Sequence, residues 1–302
     1  MRKQFFTTIA EVIEKDEKTV LLLGDISVKG FVETIKKFPD RAYNIGILEQ
    51  ATVGLAAGLA MTGFTPIFHT IAPFLIERTY EQLKLDFGYQ ELGGNFISIG
   101  GSYDYAALGC THHCPADVGI LKHIPGMEIV LPGTAEEFHG LFLQSYADKH
   151  PTYFRLSEKS NPESYPVKFG QAHIIKTGTK ATVIAVGPAL KPVLEGTKDL
   201  DVTILYYTTV APFDKDTLRD NSSSGKILIC EPYYRGAILP DVMETMKGRA
   251  VQVESVGVPV EFLNKYGQAA EHDECVGLTP NNINDALKKL IPHTHNNHII
   301  AD

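Results

Sequence analysis

Short apolar runs alternate along the chain with apolar positions at helical spacing. Apolar residues at 5, 6, 9, 10, 12 and 13 predict a helix that ends near Lys15. The uninterrupted apolar run at residues 20–23 predicts a strand buried on both faces. Similar runs predict further strands at residues 43–45, 65–68, 95–99, 128–131, 151–156, 181–186, 201–207, 226–230 and 250–256. Helices are predicted between them, at residues 32–37, 49–60, 72–83, 117–123, 134–147 and 280–290.

Strands that alternate with helices are typical of parallel sheets, which bind ligands at the carboxyl ends of their strands. We therefore predict an α/β protein with two doubly wound domains, each a mainly parallel sheet flanked by helices. The 302 residues are enough for two such cores. Residues 157–166 contain two X-Pro pairs and have the composition of a linker. The predicted domains are residues 1–161 and 162–292, and the histidine-containing tail at 293–302 is predicted to be disordered.

Composition excludes several classes of function. The formal net charge of −8 argues against a nucleic-acid partner. No run of 18 apolar residues is present, so no membrane span is expected. The first residues imitate a secretion signal, but Glu11 and Glu14 interrupt the apolar stretch. Four unevenly spaced cysteines are too few for a disulfide framework. We expect a cytoplasmic protein that acts on a small molecule, without nucleic acid or membrane.

One acidic residue lies where a short strand gives way to a helix. Residues 44–60 read Asn-Ile-Gly-Ile-Leu-Glu-Gln-Ala-Thr-Val-Gly-Leu-Ala-Ala-Gly-Leu-Ala, and the acid is Glu49. Glycine and alanine let another backbone approach closely, so we expect this helix to pack against a neighbouring helix or subunit. Two interpretations stay open. Glu49 either satisfies backbone N–H groups in the first helical turn or shares a proton with a ligand nitrogen.

Other polar and aromatic residues follow predicted strands in the same way. Asp25 comes just after the first strand, and His69 comes just after the strand at 65–68. His69 is either a ligand contact or a core histidine with satisfied hydrogen bonds. Phe74 lies near the start of the helix at 72–83, where an aromatic ring either belongs to the core or stacks on a ligand.

A glycine-rich loop at residues 100–114 ends with two cysteines and two histidines, at 110, 112, 113 and 114. This composition suggests zinc, but a structural zinc site takes its second pair of ligands from a distant segment, and none is evident. Adjacent side chains also converge poorly on one tetrahedral ion. We therefore predict no metal ligands in this loop.

Three of these stretches together resemble the pyrimidine-binding domain of the transketolase family of thiamine diphosphate enzymes. They are residues 44–60, the Arg-x-Tyr-Glu-Gln run at 78–82 with the preceding Phe74, and the Thr111-His112 pair. The resemblance is strong through residue 157. The second half is similar to the family's C-terminal domain, whose usual role is subunit packing.

The resemblance implies roles for individual residues. Glu49 is expected to bond N1′ of the cofactor's aminopyrimidine and to drive its tautomerisation. Phe74 is expected to stack on the pyrimidine ring, and Asp25 and Arg78 are expected to contribute to cofactor binding. His112 is the counterpart of a histidine that faces the substrate.

The resemblance also implies a partner. Complete enzymes of this family hold magnesium and the diphosphate with a Gly-Asp-Gly motif and a later Asn, and this sequence has no Gly-Asp-Gly. We expect a separate N-terminal-half, diphosphate-binding subunit that supplies the magnesium ligands. The expected assembly is an alpha2beta2 heterotetramer, with the cofactor between subunits.

Departures from the family concern the substrate. By spacing from His112, the position of the family's sugar-binding Asp holds Leu108, and Glu158 replaces a phosphate-binding Arg. A carboxylate there repels a phosphate, so we expect a ketol or acyl transfer with an altered substrate, and whether that substrate is phosphorylated stays open. Arg2 matches a second phosphate arginine by spacing. Arg2, together with His69 and His113, is a candidate substrate contact.

Two alternatives remain open. The beta subunit of a 2-oxo acid dehydrogenase shares the two-domain plan and the acid at position 49, although the 78–82 run and Thr111-His112 favour a transketolase. A non-catalytic paralogue that keeps the fold is the other. Retention of Glu49, Phe74 and His112 together argues against it, since a scaffold has no need of them.

Overall fold

The computed structural model describes residues 1–291, so the predicted tail at 293–302 lies outside the described residues. The strands are β1 (Thr19–Leu23), β2 (Ala42–Asn44), β3 (Thr65–Ile71), β4 (Gly94–Ile99), β5 (Glu128–Val130), β6 (Pro151–Arg155), β7 (His173–Lys176), β8 (Thr182–Val186), β9 (Thr203–Tyr207), β10 (Thr209–Ala211), β11 (Lys226–Tyr234) and β12 (Gln252–Val258). The α-helices are α1 (Arg2–Lys15), α2 (Val32–Lys37), α3 (Glu49–Met61), α4 (Ala72–Ile76), α5 (Tyr80–Gln82), α6 (Asp117–Leu121), α7 (Ala135–Ser145), α8 (Leu190–Gly196), α9 (Lys215–Asp220), α10 (Leu239–Thr245), α11 (Ala269–Val276) and α12 (Pro280–Leu290).

The first sheet has the strand order β10-β5-β6-β4-β3-β1-β2. All neighbouring strands are parallel except β10, which runs antiparallel to β5. Helices α1 and α7 bury one face of this sheet, and α3, α4 and α6 bury the other. Cover on both faces explains the uninterrupted apolar runs, because each strand must bury both sets of side chains.

The second sheet has the order β12-β11-β8-β9-β7 and is parallel except for β7. Helices α8 and α12 cover one of its faces. Its other face joins the core that α3, α4 and α6 share with the first sheet. Two mainly parallel sheets flanked by helices are the predicted fold class, which is confirmed.

One strand from the second half of the chain completes the first sheet. Strand β10 pairs with β5 through Thr209 and Val130, and the backbone N–H of Leu131 donates to the carbonyl of Thr208 at 2.7 Å. The second half of the chain therefore contributes a strand to the first sheet, and the two sheets also share an apolar core. The division at residues 161 and 162 stays a prediction.

The helix predicted at 72–83 is broken. The structure has α4, a turn at residues 77–79, α5 and a π-helical segment at Leu83–Tyr89. The backbone N–H groups of Glu77 and Arg78 both donate to the carbonyl of Pro73, at 3.0 and 3.2 Å, and the Thr79 hydroxyl donates to the carbonyl of Leu75. The Glu77 bond spans four residues as in a regular α-helix, but the Arg78 bond spans five, so the helical ladder is interrupted at Arg78, which pairs with Glu49 of α3.

No helix within residues 1–291 combines the length and the apolar character needed to cross a membrane.

Candidate active site

Glu49 is the first residue of α3, at the carboxyl edge of the first sheet, and its side chain is 2% exposed. Its Oε2 accepts a hydrogen bond from Arg78 Nη1 at 2.7 Å. Its Oε1 is buried and has no hydrogen-bond partner among residues 1–291. Buried polar atoms are nearly always paired in proteins, so Oε1 is an acceptor that a ligand donor could satisfy.

Arg78 supports the buried acid and the aromatic ring beside it. Its guanidinium carbon lies 4.3 Å from the ring centroid of Phe74, while Nη1 pairs with Glu49. The Arg78 side chain is 40% exposed, so the ion pair is buried at one end and reaches the surface at the other. The guanidinium offsets part of the cost of burying the carboxylate charge.

His112 completes a contiguous group with Phe74. The two ring centroids are 5.4 Å apart, in an edge-to-face arrangement. His112 is half-buried, and its Nδ1 lies 3.0 Å from the hydroxyl of Thr111. The structure thus brings together Glu49, Arg78, Phe74 and His112, which come from three separate stretches of the sequence.

Asp25 is held at the same edge of the sheet, next to β2. Its backbone is in the left-handed region, with φ of 57°. Its backbone N–H donates to Asn44 Oδ1 and its Oδ1 accepts from Asn44 Nδ2, both at 3.0 Å. Asp25 is exposed, so its carboxylate is accessible from solvent.

His69 is a core residue with satisfied hydrogen bonds. It is fully buried, with Nδ1 2.8 Å from the carbonyl of Ile97 and Nε2 2.8 Å from the hydroxyl of Ser27. Burial lowers the pKa of His69 to about 3, so the ring is neutral at ordinary pH. The structure favours the core interpretation over a direct substrate contact.

Arg2 and Glu158 line one cavity of about 480 Å³, together with Tyr105. Arg2 Nε donates to the Ser27 hydroxyl at 3.2 Å, and Ser27 in turn contacts His69. Arg2 and Glu158 do not form an ion pair within the described part of the chain. The two residues singled out for substrate charge therefore face the same space.

His113 turns away from the Phe74 group and into the protein. Its side chain is buried, and its ring centroid is 5.4 Å from that of His272 on α11. Burial, followed by the nearby His272 and His112, lowers the pKa of His113. No sequence pattern connects His113 with His272, because the two residues lie in opposite halves of the chain.

Among residues 1–291, no three His, Cys, Asp or Glu side chains are placed to hold a metal ion together. The cysteines at 110 and 114 differ in environment, since Cys110 is exposed and Cys114 is buried.

Comparison with known proteins identifies the family. The family model for the transketolase pyrimidine-binding domain matches residues 1–163, which is more than half of the chain. The chain belongs to the transketolase family. The resemblance inferred from residues 44–60, 78–82 and Thr111-His112 is therefore confirmed.

Two relatives match over most of their own length. An uncharacterized 33.6 kDa protein in the fasciation locus of Rhodococcoides fascians is 34% identical over 95% of this chain and 93% of the relative. One of the subunits of the apulose-4-phosphate transketolase of Phocaeicola vulgatus is 30% identical over 86% of this chain and 88% of the relative.

A solved structure has the same transketolase fold. It is a split gene transketolase in an inactive beta4 tetramer, with a TM-score of 0.85 and 24% identity, and it matches 96% of this chain and 97% of that chain. This likeness supports the fold alone.

Proposed function

We propose that this chain is the beta-type subunit of a split transketolase-like enzyme that transfers a ketol or acyl unit with thiamine diphosphate. The observation that carries the proposal is the state of Glu49, a buried carboxylate with one oxygen fixed by Arg78 and Oε1 without a partner in the described chain. An aminopyrimidine nitrogen is a suitable donor for that oxygen, so the residues present fit the cofactor.

Each residue of the group has a definite task in this proposal. Glu49 exchanges a proton at Oε1, while the bond from Arg78 keeps Oε2 in place. Phe74 provides the apolar wall beside the acid. When bound, thiamine diphosphate supplies the nucleophilic carbon that accepts and releases the transferred unit. His112 holds or delivers a proton to the substrate through Nε2, because Nδ1 is engaged by Thr111.

A partner subunit fits the exposed side of α3. Val53, Ala56 and Ala57 face the core, whereas Gly54 and Leu55 are exposed on the other side, and residues 47 and 48, both apolar, are exposed just before the helix. An exposed apolar patch next to the acid is typical of an interface. We propose that a separate diphosphate-binding subunit covers it and brings the magnesium ligands, in an alpha2beta2 assembly. The Phocaeicola vulgatus relative, which is named as one subunit of a transketolase, supports a divided enzyme of this kind.

The substrate pocket carries both signs of charge. Arg2 and Lys3 line it together with Glu158, so a dianionic phosphate there meets one repulsion and two attractions. We propose an altered substrate, because Glu158 stands at the position where the family has a phosphate-binding Arg.

The function is tested by mixing the purified chain with its partner subunit, thiamine diphosphate and magnesium. We expect turnover with a ketose donor and little with a 2-oxo acid donor. The reverse preference would favour a 2-oxo acid dehydrogenase. Turnover with neither donor class, in a complex that assembles, would reject catalysis.

Cofactor binding tests the split arrangement separately. By calorimetry, the isolated chain is expected to bind thiamine diphosphate weakly, because the magnesium ligands are expected on the partner. Tight binding to the isolated chain would contradict that arrangement.

A further inference from the structure

The loop that carries His112 is closed at its base. The backbone N–H of Cys114 donates to the carbonyl of Ser102 at 2.7 Å, and the N–H of Ser102 donates to the carbonyl of Cys114 at 3.3 Å. Between them the chain makes two 3₁₀ turns, at Ala106–Leu108 and Cys110–His112. The backbone fixes the ends of the loop, and side-chain contacts must fix the part that presents His112.

Two consecutive residues of α11, in the second half of the chain, make those contacts. The Tyr103 hydroxyl donates to Asp273 Oδ1 at 2.5 Å, and the Tyr103 ring centroid lies 5.3 Å from that of His272. Lys159 pairs with the same Asp273, and its Nζ lies 4.7 Å from the Tyr103 ring centroid. The first part of the loop is thereby attached to α11.

The end of the loop is attached to α11 through histidines. His113 and His272 meet edge to face, with exposed fractions of 5% and 4%. Both ring nitrogens of His113 and Nε2 of His272 have no hydrogen-bond partner within the residues that the structure describes. Within the described residues, the contact between His113 and His272 is therefore one of ring packing.

Two adjacent residues of the loop contact different parts of the protein. His112 contacts Phe74, and His113 contacts His272. Because one peptide bond joins the two histidines, we expect a displacement of His113 to move the backbone that carries His112. We propose that His272 is a positioning residue, through which α11 of the second half of the chain holds the His112 imidazole against Phe74. The proposal rests on the proposed function of His112.

Kinetics of the assembled enzyme test the proposal. His272→Ala removes the ring and is expected to lower kcat about tenfold with a smaller change in KM, because small displacements of a catalytic group are costly. His272→Phe keeps the ring shape and is expected to restore most of kcat. Glu274→Ala changes an exposed residue of the same helix and is the matched control. Equal kcat for His272→Ala and wild type would overturn the proposal.

Hydrogen exchange of the full chain without cofactor gives a readout that does not depend on activity. His272→Ala is expected to reduce amide protection in residues 100–114 while the protection of β11 and α12 stays as in wild type. Unchanged protection of the loop would also overturn the proposal. If the wild-type complex shows no transfer activity, the proposed function fails, and the exchange measurement still decides whether α11 holds the loop.

Tyr103→Phe is a second variant that removes only the hydroxyl bond to Asp273. We expect a smaller loss of loop protection than with His272→Ala and a native melting temperature. If the amides of residues 100–114 keep their wild-type protection in both Tyr103→Phe and His272→Ala, α11 has no role in holding this loop.

Discussion

Glu49 and His69 are both buried at the carboxyl edge of the first sheet, yet their surroundings differ. His69 has both ring nitrogens within hydrogen-bond distance of neighbours, Ser27 and the carbonyl of Ile97. Glu49 has one oxygen bonded to Arg78, and its Oε1 lacks a partner within residues 1–291. Around His69 the chain continues into packed core, whereas exposed apolar residues precede Glu49.

This difference separates a structural group from a candidate catalytic one. A shifted pKa does not by itself make a group catalytic: burial is the main cause that lowers the pKa of His69 to about 3, and both its ring nitrogens are engaged. A catalytic group must also keep an atom available to the ligand. By that criterion Glu49 is a candidate for chemistry, whereas His69 has the hydrogen bonding of a structural residue.

The largest expected effect is on catalysis at Glu49. In the assembled enzyme Glu49→Gln should lower kcat by at least about 100-fold, because the amide cannot exchange the proton. Subunit assembly, measured by sedimentation, should be unchanged. Glu33→Gln, at an exposed position, is the matched control. Near-normal kcat in Glu49→Gln would show that Glu49, like His69, is not catalytic.

The next effect is on stability at His69. We expect His69→Gln to lower the free energy of unfolding by about 1–3 kcal/mol, because it disturbs two buried hydrogen bonds. The measurement is urea denaturation of the isolated chain, with exposed His123→Gln as the control. A loss of kcat without a loss of stability would instead assign His69 to the active site.

The pH dependence of the free energy of unfolding is a further test of the structural role of His69. The pKa of His69 is about 3 in the folded chain and 6.5 when unperturbed, so the unfolded chain takes up the proton first as pH falls. The stability that the neutral, buried His69 contributes is present above pH 6.5 and is lost as the pH falls toward 3. Between pH 6.5 and about pH 5, wild type should lose about 1–2 kcal/mol more than His69→Gln. Equal losses would show that His69 is not the group responsible.

The smallest effect concerns the pocket that connects to the His69 region through Arg2 and Ser27. Glu158→Arg should lower KM for a phosphorylated acceptor about tenfold by replacing a repulsion with an attraction. Glu163→Arg, an exposed position with the same change of charge, should leave KM as in wild type. An unchanged KM in Glu158→Arg would remove this pocket from the substrate site.

Local patterns predicted most of the fold because buried strands must be apolar along their whole length, as in residues 20–23. They missed β7 and β10, which are four and three residues long. Strand β10 is stabilised by pairing with β5, across about 80 residues of sequence, and such pairing leaves no local signal.

The sequence predicted the candidate site residues that belong to contiguous motifs. It did not predict the contact that depends on the break in the helix at residues 72–83. The sequence singled out Glu49, Phe74 and His112. It did not reveal that Arg78 pairs with Glu49, since this requires the turn at residues 77–79. It did not reveal the contact of His113 with the α11 histidine either, because packing between distant segments is set by the whole fold.

The most direct test of the central claim measures proton exchange itself. In the assembled enzyme, the rate at which bound thiamine diphosphate exchanges its acidic carbon-bound hydrogen for deuterium can be followed by quenched NMR, for wild type and for Glu49→Gln. We predict rapid exchange in wild type and exchange slower by at least about 100-fold in the variant. Equal rates, with the cofactor bound in both, would contradict the role of Glu49.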